Sequence, residues 1–237
     1  MNLLVSDYDS TFYVNDNDIK NNIKYVDIFM KQNKFVIATG RSYFHYSLVR
    51  DLHNIKCNYL IINHGATIIK DNKIIYNKKI DNNIKNNLIE DLKLDKAVNI
   101  FCCSLLDNYD DLDKNDLTKI HIQYDSKETA KEIDNLIKQK YYNYLNCFFI
   151  HGKQAIEIVS KDADKSKVIK FVSNLENIKE SDIYTIGDGY SDIEMIKNFN
   201  GARMLNCVDE LKQVTNRSYE SVSQLIEEII FKRDNKI

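Results

Sequence analysis

The order in which apolar runs alternate with helical periodicity constrains this chain more than any other feature. Short β-type runs at 2–6 (NLLVS), Phe35 to Ala38 and Tyr59 to Ile62 are separated by segments of 3.6-residue periodicity. The first of these carries Ile19, Ile23, Val26 and Met30 on one face, and the second spans about Tyr43 to His53. This βαβαβ rhythm belongs to a parallel sheet. Ala66 to Ile69 and Lys73 to Tyr76 flank the turn-forming pair Asp71-Asn72 and read as a hairpin. From about 80 to 160 the order becomes helix, strand, strand, helix, strand, strand, which suits an antiparallel sheet with helices on one face. The first rhythm then returns, with a helix carrying Val168, Ile169, Val172 and Leu175, strands at Ile183 to Ile186 and Ala202 to Leu205, and a closing helix at about 219–232. The expected fold is therefore α/β, a Rossmann-like parallel-sheet core (1–79 and 161–237) with an inserted α+β domain (80–160) of αββαββ order.

Composition narrows the function classes. With 33 basic and 35 acidic residues among 237, a net charge of -2 and no clustered basic patch, nucleic acid and anionic membranes are not expected partners. No run of about 18 apolar residues and no leader pattern is present, so a cytoplasmic location is expected. The five cysteines form no CxxC pair and read as reduced, buried thiols.

The polar residues worth attention stand where strands end. Asp7 and Asp9, in Asp7-Tyr8-Asp9-Ser10-Thr11, follow the first strand. If extended geometry continued, their carboxylates would share a face and repel unless a cation or a shared proton intervened. A hard divalent ion, Mg2+ above all, would answer that; a solvated turn with capping side chains is the alternative. Thr39-Gly40-Arg41 ends the second strand and offers a hydroxyl and a glycine N–H to an anion, or is a routine strand-to-helix turn. Lys165, in Asp164-Lys165-Ser166, sits in a first helical turn where the macrodipole disfavours a cation. A compensating anion such as a bound phosphate is expected beside it, unless it is a surface lysine. Asp188 and Asp192, in Gly187-Asp188-Gly189-Tyr190-Ser191-Asp192, would complete the oxygen shell begun by Asp7 and Asp9.

These four pieces, DYDST, TGR, DKS and GDGYSD, in this order around an αββαββ insertion, resemble the Cof-type branch of the haloacid dehalogenase superfamily. Asn63-His64-Gly65-Ala66, near that family's N-G-A, adds to the likeness, which covers nearly the whole chain. The resemblance implies a phosphatase acting on a small-molecule phosphate ester, a sugar or cofactor phosphate, under a cap domain, with Mg2+ as cofactor. It implies Asp7 as nucleophile, Asp9 as general acid and base, and a metal held by Asp7, the Asp9 carbonyl and Asp188, with Asp192 orienting Lys165 or a metal-bound water. Thr39, Gly40, Lys165 and the Tyr8 and Ser10 main-chain N–H groups would bind phosphate, Ser191 would assist, and Arg41 would touch substrate or form a structural salt bridge. Several positions depart from the pattern: Ser10 where glycine is commoner, Ser160 and Ser166 for Pro and Gly, Ser191 for Asn, and His64 within N-G-A, read here as a loop histidine without catalytic duty. Two other activities fit the same motifs, a sugar-phosphate mutase or phosphotransferase and a non-catalytic phospho-acceptor or sensor. Substrate choice is expected to lie in cap loops near 104–117 and 151–153, with the acidic 107–116 segment a solvated turn; the oligomeric state is not readable.

Overall fold

A computed structural model describes residues 1–109, 111–150 and 152–234. The chain opens with β1 (Leu3–Ser6), α1 (Asp16–Phe29), β2 (Lys34–Ala38), α2 (Tyr43–His53), β3 (Tyr59–Ile62), β4 (Thr67–Lys70) and β5 (Lys73–Asn77). The insertion contributes α3 (Asn82–Asp91), β6 (Ala97–Ser104), β7 (Asp107–Tyr109), β8 (Lys119–Tyr124), α4 (Lys127–Lys140), β9 (Leu145–Ile150) and β10 (Ala155–Ser160). The chain then returns through α5 (Lys165–Leu175), β11 (Ile183–Gly187), α6 (Ile193–Asn198), β12 (Asn200–Met204), α7 (Asp209–Val214), β13 (Ser218–Tyr219) and α8 (Val222–Asp234).

The large sheet runs β13-β12-β11-β1-β2-β3-β4-β5 and is parallel as far as β3; the β4–β5 hairpin adds an antiparallel edge. Its central strands are apolar on both faces because helices cover both. Leu4 of β1 packs into the core beneath α1 and α8, whereas Leu3 and Val5 face the opposite core under α5 and α6. The sheet grows one way from β1 through β2 and β3 and the other way through β11, β12 and β13. Strand order therefore reverses at β1, and the crevice beyond the carboxyl ends of β1 and β11 is where such a sheet binds ligands.

The insertion forms its own antiparallel sheet, β7-β6-β8-β10-β9. Strict alternation explains its two faces. Ile120, Ile122 and Tyr124 of β8 and Ile156 and Ile158 of β10 bury against residues of α3 and α4 such as Leu88, Ile133 and Ile137. The residues between them, Lys119, His121, Gln123 and Glu157, point away from that core and line the cavity over the large sheet. The strand β7 is unmarked in the sequence; it lies at the start of the acidic 107–116 segment expected to be a solvated turn, pairing with β6 from Cys102 to Ser104. Three residues without apolar alternation leave no periodic signal. Asp110 and His151, within the segments expected to select substrate, lie outside the described residues.

Candidate active site

Asp7 is the first residue beyond β1, and its N–H donates to the Ile186 carbonyl at 3.0 Å. With Ser6 paired to Ile186, the ends of β1 and β11 are locked side by side, which is why Asp7 and Asp188 become neighbours across 181 residues of chain, 188 − 7. The Asp7 side chain is buried and its Oδ1 accepts from Lys165 Nζ at 2.6 Å. The same ammonium donates to Asp192 Oδ1 at 2.6 Å. Lys165 is only 2% exposed, so the anion expected beside it at the start of α5 is supplied by two carboxylates of the protein itself. Burial opposes its charge, but Asp192 and Asp7 more than offset this and hold its pKa above the ordinary lysine value.

Asp192 also organises the loop after β11. Its Oδ2 accepts from the Asp188 N–H at 3.1 Å and the Gly189 N–H at 3.0 Å. Both of its oxygens are thus engaged by protein donors. Asp188 accepts from the Thr11 hydroxyl at 2.7 Å. Burial pushes the Asp188 carboxyl up to about 6; the Thr11 hydrogen bond pulls it back and the Asp192 charge adds to the rise. Burial likewise raises Asp7 well above the usual carboxylate range, Lys165 counters it, and the Asp192 and Asp188 charges add to it. One ammonium does not neutralise this group.

The 39–41 segment forms the adjoining wall. The Arg41 N–H donates to Thr39 Oγ1 at 3.1 Å, and the Gly40 N–H has no protein partner among the described residues. Gly40 is required there by close approach: a Cβ would lie 2.4 Å from Cε1 of the His64 ring. Ser10, where a glycine is commoner in the resembled family, has φ 59°, the left-handed region that favours glycine.

Asp9 departs from expectation. Extended geometry stops at Ser6; the chain turns at Tyr8–Thr11, with the Thr11 N–H donating to the Tyr8 carbonyl at 3.4 Å. Asp7 and Asp9 line the same cavity, but the Asp9 carboxylate is not among the three clustered around Lys165. It forms a two-pronged pair with Arg41, Nη2 to Oδ1 at 2.6 Å and Nε to Oδ2 at 2.9 Å, at the half-exposed rim of the cavity. Of the two roles expected for Arg41, the salt bridge is the one present, with the guanidinium also 5.1 Å from the Tyr8 ring centroid. The Tyr8 side chain is buried against Phe12 and Tyr46, so only its main chain is available to a ligand.

A cavity of about 870 Å3 joins these groups to the polar face of the inserted sheet. Asp7, Asp9, Ser10, Gly40, Arg41, Asp188, Ser191 and Asp192 line it from below; Tyr8, Thr39 and Lys165 lie behind the wall. From above come Phe101, Lys119, His121, Gln123, Phe148, Lys153 and Glu157. Cavity-facing positions of the insertion are thus mostly strand residues, and from the 104–117 segment none lines the cavity among the described residues. The sequence reading missed Lys119, His121 and Glu157, although the alternation Lys-Ile-His-Ile-Gln in β8 marks the first two as one face. It also gave His64 no duty. His64 is buried, stacks on Phe148 with centroids 4.3 Å apart, and its Nε2 lies 2.5 Å from Glu157 Oε2. Burial lowers its pKa against the opposing pull of Glu157.

The carboxylate cluster fits a hard divalent cation. One oxygen each from Asp7, Asp188 and Asp192 lies within 4.8 Å of the others, all are hard donors, and the surplus negative charge is buried.

Comparison with known proteins agrees with this architecture. The sequence model of the haloacid dehalogenase-like hydrolases matches residues 4–110 and 104–224. An uncharacterised protein of Mycoplasma capricolum is 29% identical over 83% of this chain and 87% of its own length. A Buchnera aphidicola protein provisionally named a phosphatase is 28% identical over 82% of this chain and 81% of its own. Among solved structures, a haloacid dehalogenase-like hydrolase from Bacteroides thetaiotaomicron superposes with a TM-score of 0.79 at 18% identity, covering 96% of this chain and 99% of that one. The sucrose-phosphatase of Synechocystis, solved with sucrose and phosphate, superposes with a TM-score of 0.69 at 18% identity over 98% of this chain and 97% of that one. At these identities the structural likeness speaks for the fold. No helix among the described residues is long and apolar enough to cross a membrane.

Proposed function

The chain belongs to the haloacid dehalogenase-like hydrolases, in their Cof-type branch, and from that premise we propose that it hydrolyses small phosphate monoesters, with Asp7 as nucleophile and Mg2+ as cofactor. One observation carries the reading: Asp7, at the end of the central strand, presents a buried carboxylate to the cavity with one oxygen held by Lys165, and the other accepts no hydrogen bond among the described residues.

The free oxygen attacks phosphorus in line; the P–O bond to the alcohol breaks, and the phosphoryl group passes to Asp7 as an acyl phosphate. Asp9, parted from Arg41 and protonated from solvent as the ester binds, gives that proton to the departing alkoxide, then takes one from the water that attacks the acyl phosphate, releasing inorganic phosphate and regenerating Asp7. For this the Asp9–Arg41 pair must part, and an incoming phosphate is an anion able to take Arg41 from Asp9. Lys165, the Gly40 N–H and the Thr39 hydroxyl, whose oxygen already accepts from Arg41 N–H, offer donors to the charge spread over the phosphoryl oxygens. Asp192 holds Lys165 and the loop after β11. Asp7, Asp188 and the Asp9 carbonyl would hold Mg2+, with Asp192 at its border; the ion supplies the positive charge that lets an ionised Asp7 meet an anionic ester.

The test is release of inorganic phosphate from a panel of sugar, nucleotide and cofactor monoesters, with Mg2+ and with chelator. The unmodified protein should turn over at least one ester only with the metal, and Asp7→Asn should lower the rate by at least about 10^4-fold. Asp7→Asn retaining activity, or a panel without turnover, would refute the assignment, and isomer formed without free phosphate would redirect it to phosphoryl transfer between sugars.

A further inference from the structure

The three carbonyls of the 39–41 segment are all held. Thr39 O accepts from the His64 N–H at 3.1 Å and Arg41 O from the Asn63 N–H at 3.0 Å, both in the core. Gly40 O accepts from Lys119 Nζ at 2.7 Å, and Lys119 belongs to the inserted sheet. The Gly40 carbonyl and the Arg41 N–H are opposite edges of one planar peptide, so holding one fixes the other. That N–H donates to Thr39 Oγ1, which engages the hydroxyl as an acceptor and leaves its proton to be donated, next to the cavity-lining Gly40.

Lys119 is itself immobilised. It is 1% exposed, bonds Glu157 Oε1 at 2.8 Å and lies 5.4 Å from the Phe101 ring centroid. Glu157 also receives His121 Nδ1 at 3.1 Å and binds His64, whose ring covers Gly40. Asn63 and His64 occupy the left-handed region in succession, at φ 51° and 56°, and Asn63 Nδ2 reaches Thr118 of the insertion at 3.2 Å. The strained core loop and the phosphate-facing segment are thus both fastened to the cap by side chains that leave with it if it lifts.

We propose that Lys119 is a positioning residue: a cap-borne ammonium that sets the Gly40–Arg41 peptide, and through it the Thr39 hydroxyl, for anion binding only while the cap is seated. The role rests on the reading of the chain as a phosphate ester hydrolase, because the segment it sets is the one assigned to phosphate. Substrate turnover is then coupled to cap seating through a backbone carbonyl, without Lys119 touching the ester.

The test compares the unmodified protein, Lys119→Met, and Lys119→Met/Glu157→Gln; the double variant leaves no carboxylate buried without its partner. Misplacing the segment should lower kcat by about 10- to 100-fold in both, with KM changed far less. In 1H–15N spectra of ligand-free protein the Gly40 and Arg41 cross-peaks should move, and inorganic phosphate titrated into unmodified protein should shift the Lys119 and Glu157 amides along with Gly40. A folded double variant with kcat within twofold of the unmodified protein and an unmoved Arg41 cross-peak would overturn the proposal. So would phosphate shifting Gly40 while the Lys119 and Glu157 amides stay still, a result that needs no variant to fold. If no ester is hydrolysed, the spectra still decide the coupling and only the functional reading falls.

Discussion

Two buried lysines, Lys165 in the core and Lys119 in the inserted sheet, are each gripped by carboxylates, and the charge around them differs. Lys165 serves two aspartates directly with a third close by, and Asp7 and Asp188 are pushed up in pKa. Lys119 shares one glutamate with two imidazoles, and there the balance reverses: burial would raise Glu157, but Lys119, His121 and His64 together hold it well below the usual range. A surplus of buried acid is unfavourable unless a cation joins it, whereas a neutralised cluster is complete as it stands. The first cluster is built to receive something; the second is built to hold something still.

The same replacement in the two clusters should separate them most sharply. Lys165→Met removes a donor aimed at the reacting group and should cost about 10^3-fold in kcat for phosphate release, well beyond the loss expected for Lys119→Met; equal losses would erase the distinction. Stability should run the other way at the acids. Glu157→Gln leaves Lys119 buried without its counter-charge, and urea denaturation at pH 7 should show a loss of about 3 kcal/mol. Asp188→Asn instead relieves repulsion and keeps an acceptor for Thr11, so the metal-free protein should gain about 1 kcal/mol. That variant should also lose most of the rise in thermal midpoint that Mg2+ gives the unmodified protein, because binding to the folded state alone is what produces it.

The smallest effect is one of pH. Asp188 has a folded pKa of about 6, above its unfolded value of 3.8, so its contribution is complete below about 3.8 and is lost as pH rises through about 6. Burial gives His64 a folded pKa below the ordinary 6.5, so the unfolded chain binds more protons than the folded one as pH falls through about 6.5, and stability falls on acidification. Between pH 6.5 and 5 the two oppose each other in metal-free protein. Asp188→Asn removes the gain, so its thermal midpoint should fall more steeply with acid than that of the unmodified protein, measured with chelator present.

What was legible in the sequence follows from how local each determinant is. The rhythm of β1, β2 and β3, the insertion and the return to β11 are periodicities, and the acidic and basic motifs stand at strand ends where the sheet brings them together. The Arg41 partner of Asp9 was not legible, because side-chain direction there depends on where extended geometry stops, and the turn at Tyr8–Thr11 begins two residues after β1. Lys119, His121 and Glu157 were hidden for another reason. His121 and Glu157 each stand singly between isoleucines and Lys119 between Thr118 and Ile120, and only the β8–β10 pairing that sets His121 opposite Glu157 turns three scattered residues into one cluster. His64 required still more, a left-handed backbone and a partner 93 residues away.

The contact between Gly40 and the His64 ring also bears on the order in which substitutions can accumulate. Any side chain at position 40 must displace an imidazole whose atoms lie at 2.4 to 3.1 Å from the added carbon, so the two positions are not independent. A change at 64 to a smaller residue opens the way for one at 40, while the reverse sequence passes through a misfitted intermediate. Descendants of this chain that carry a larger residue than glycine at 40 are therefore expected to have lost the histidine first.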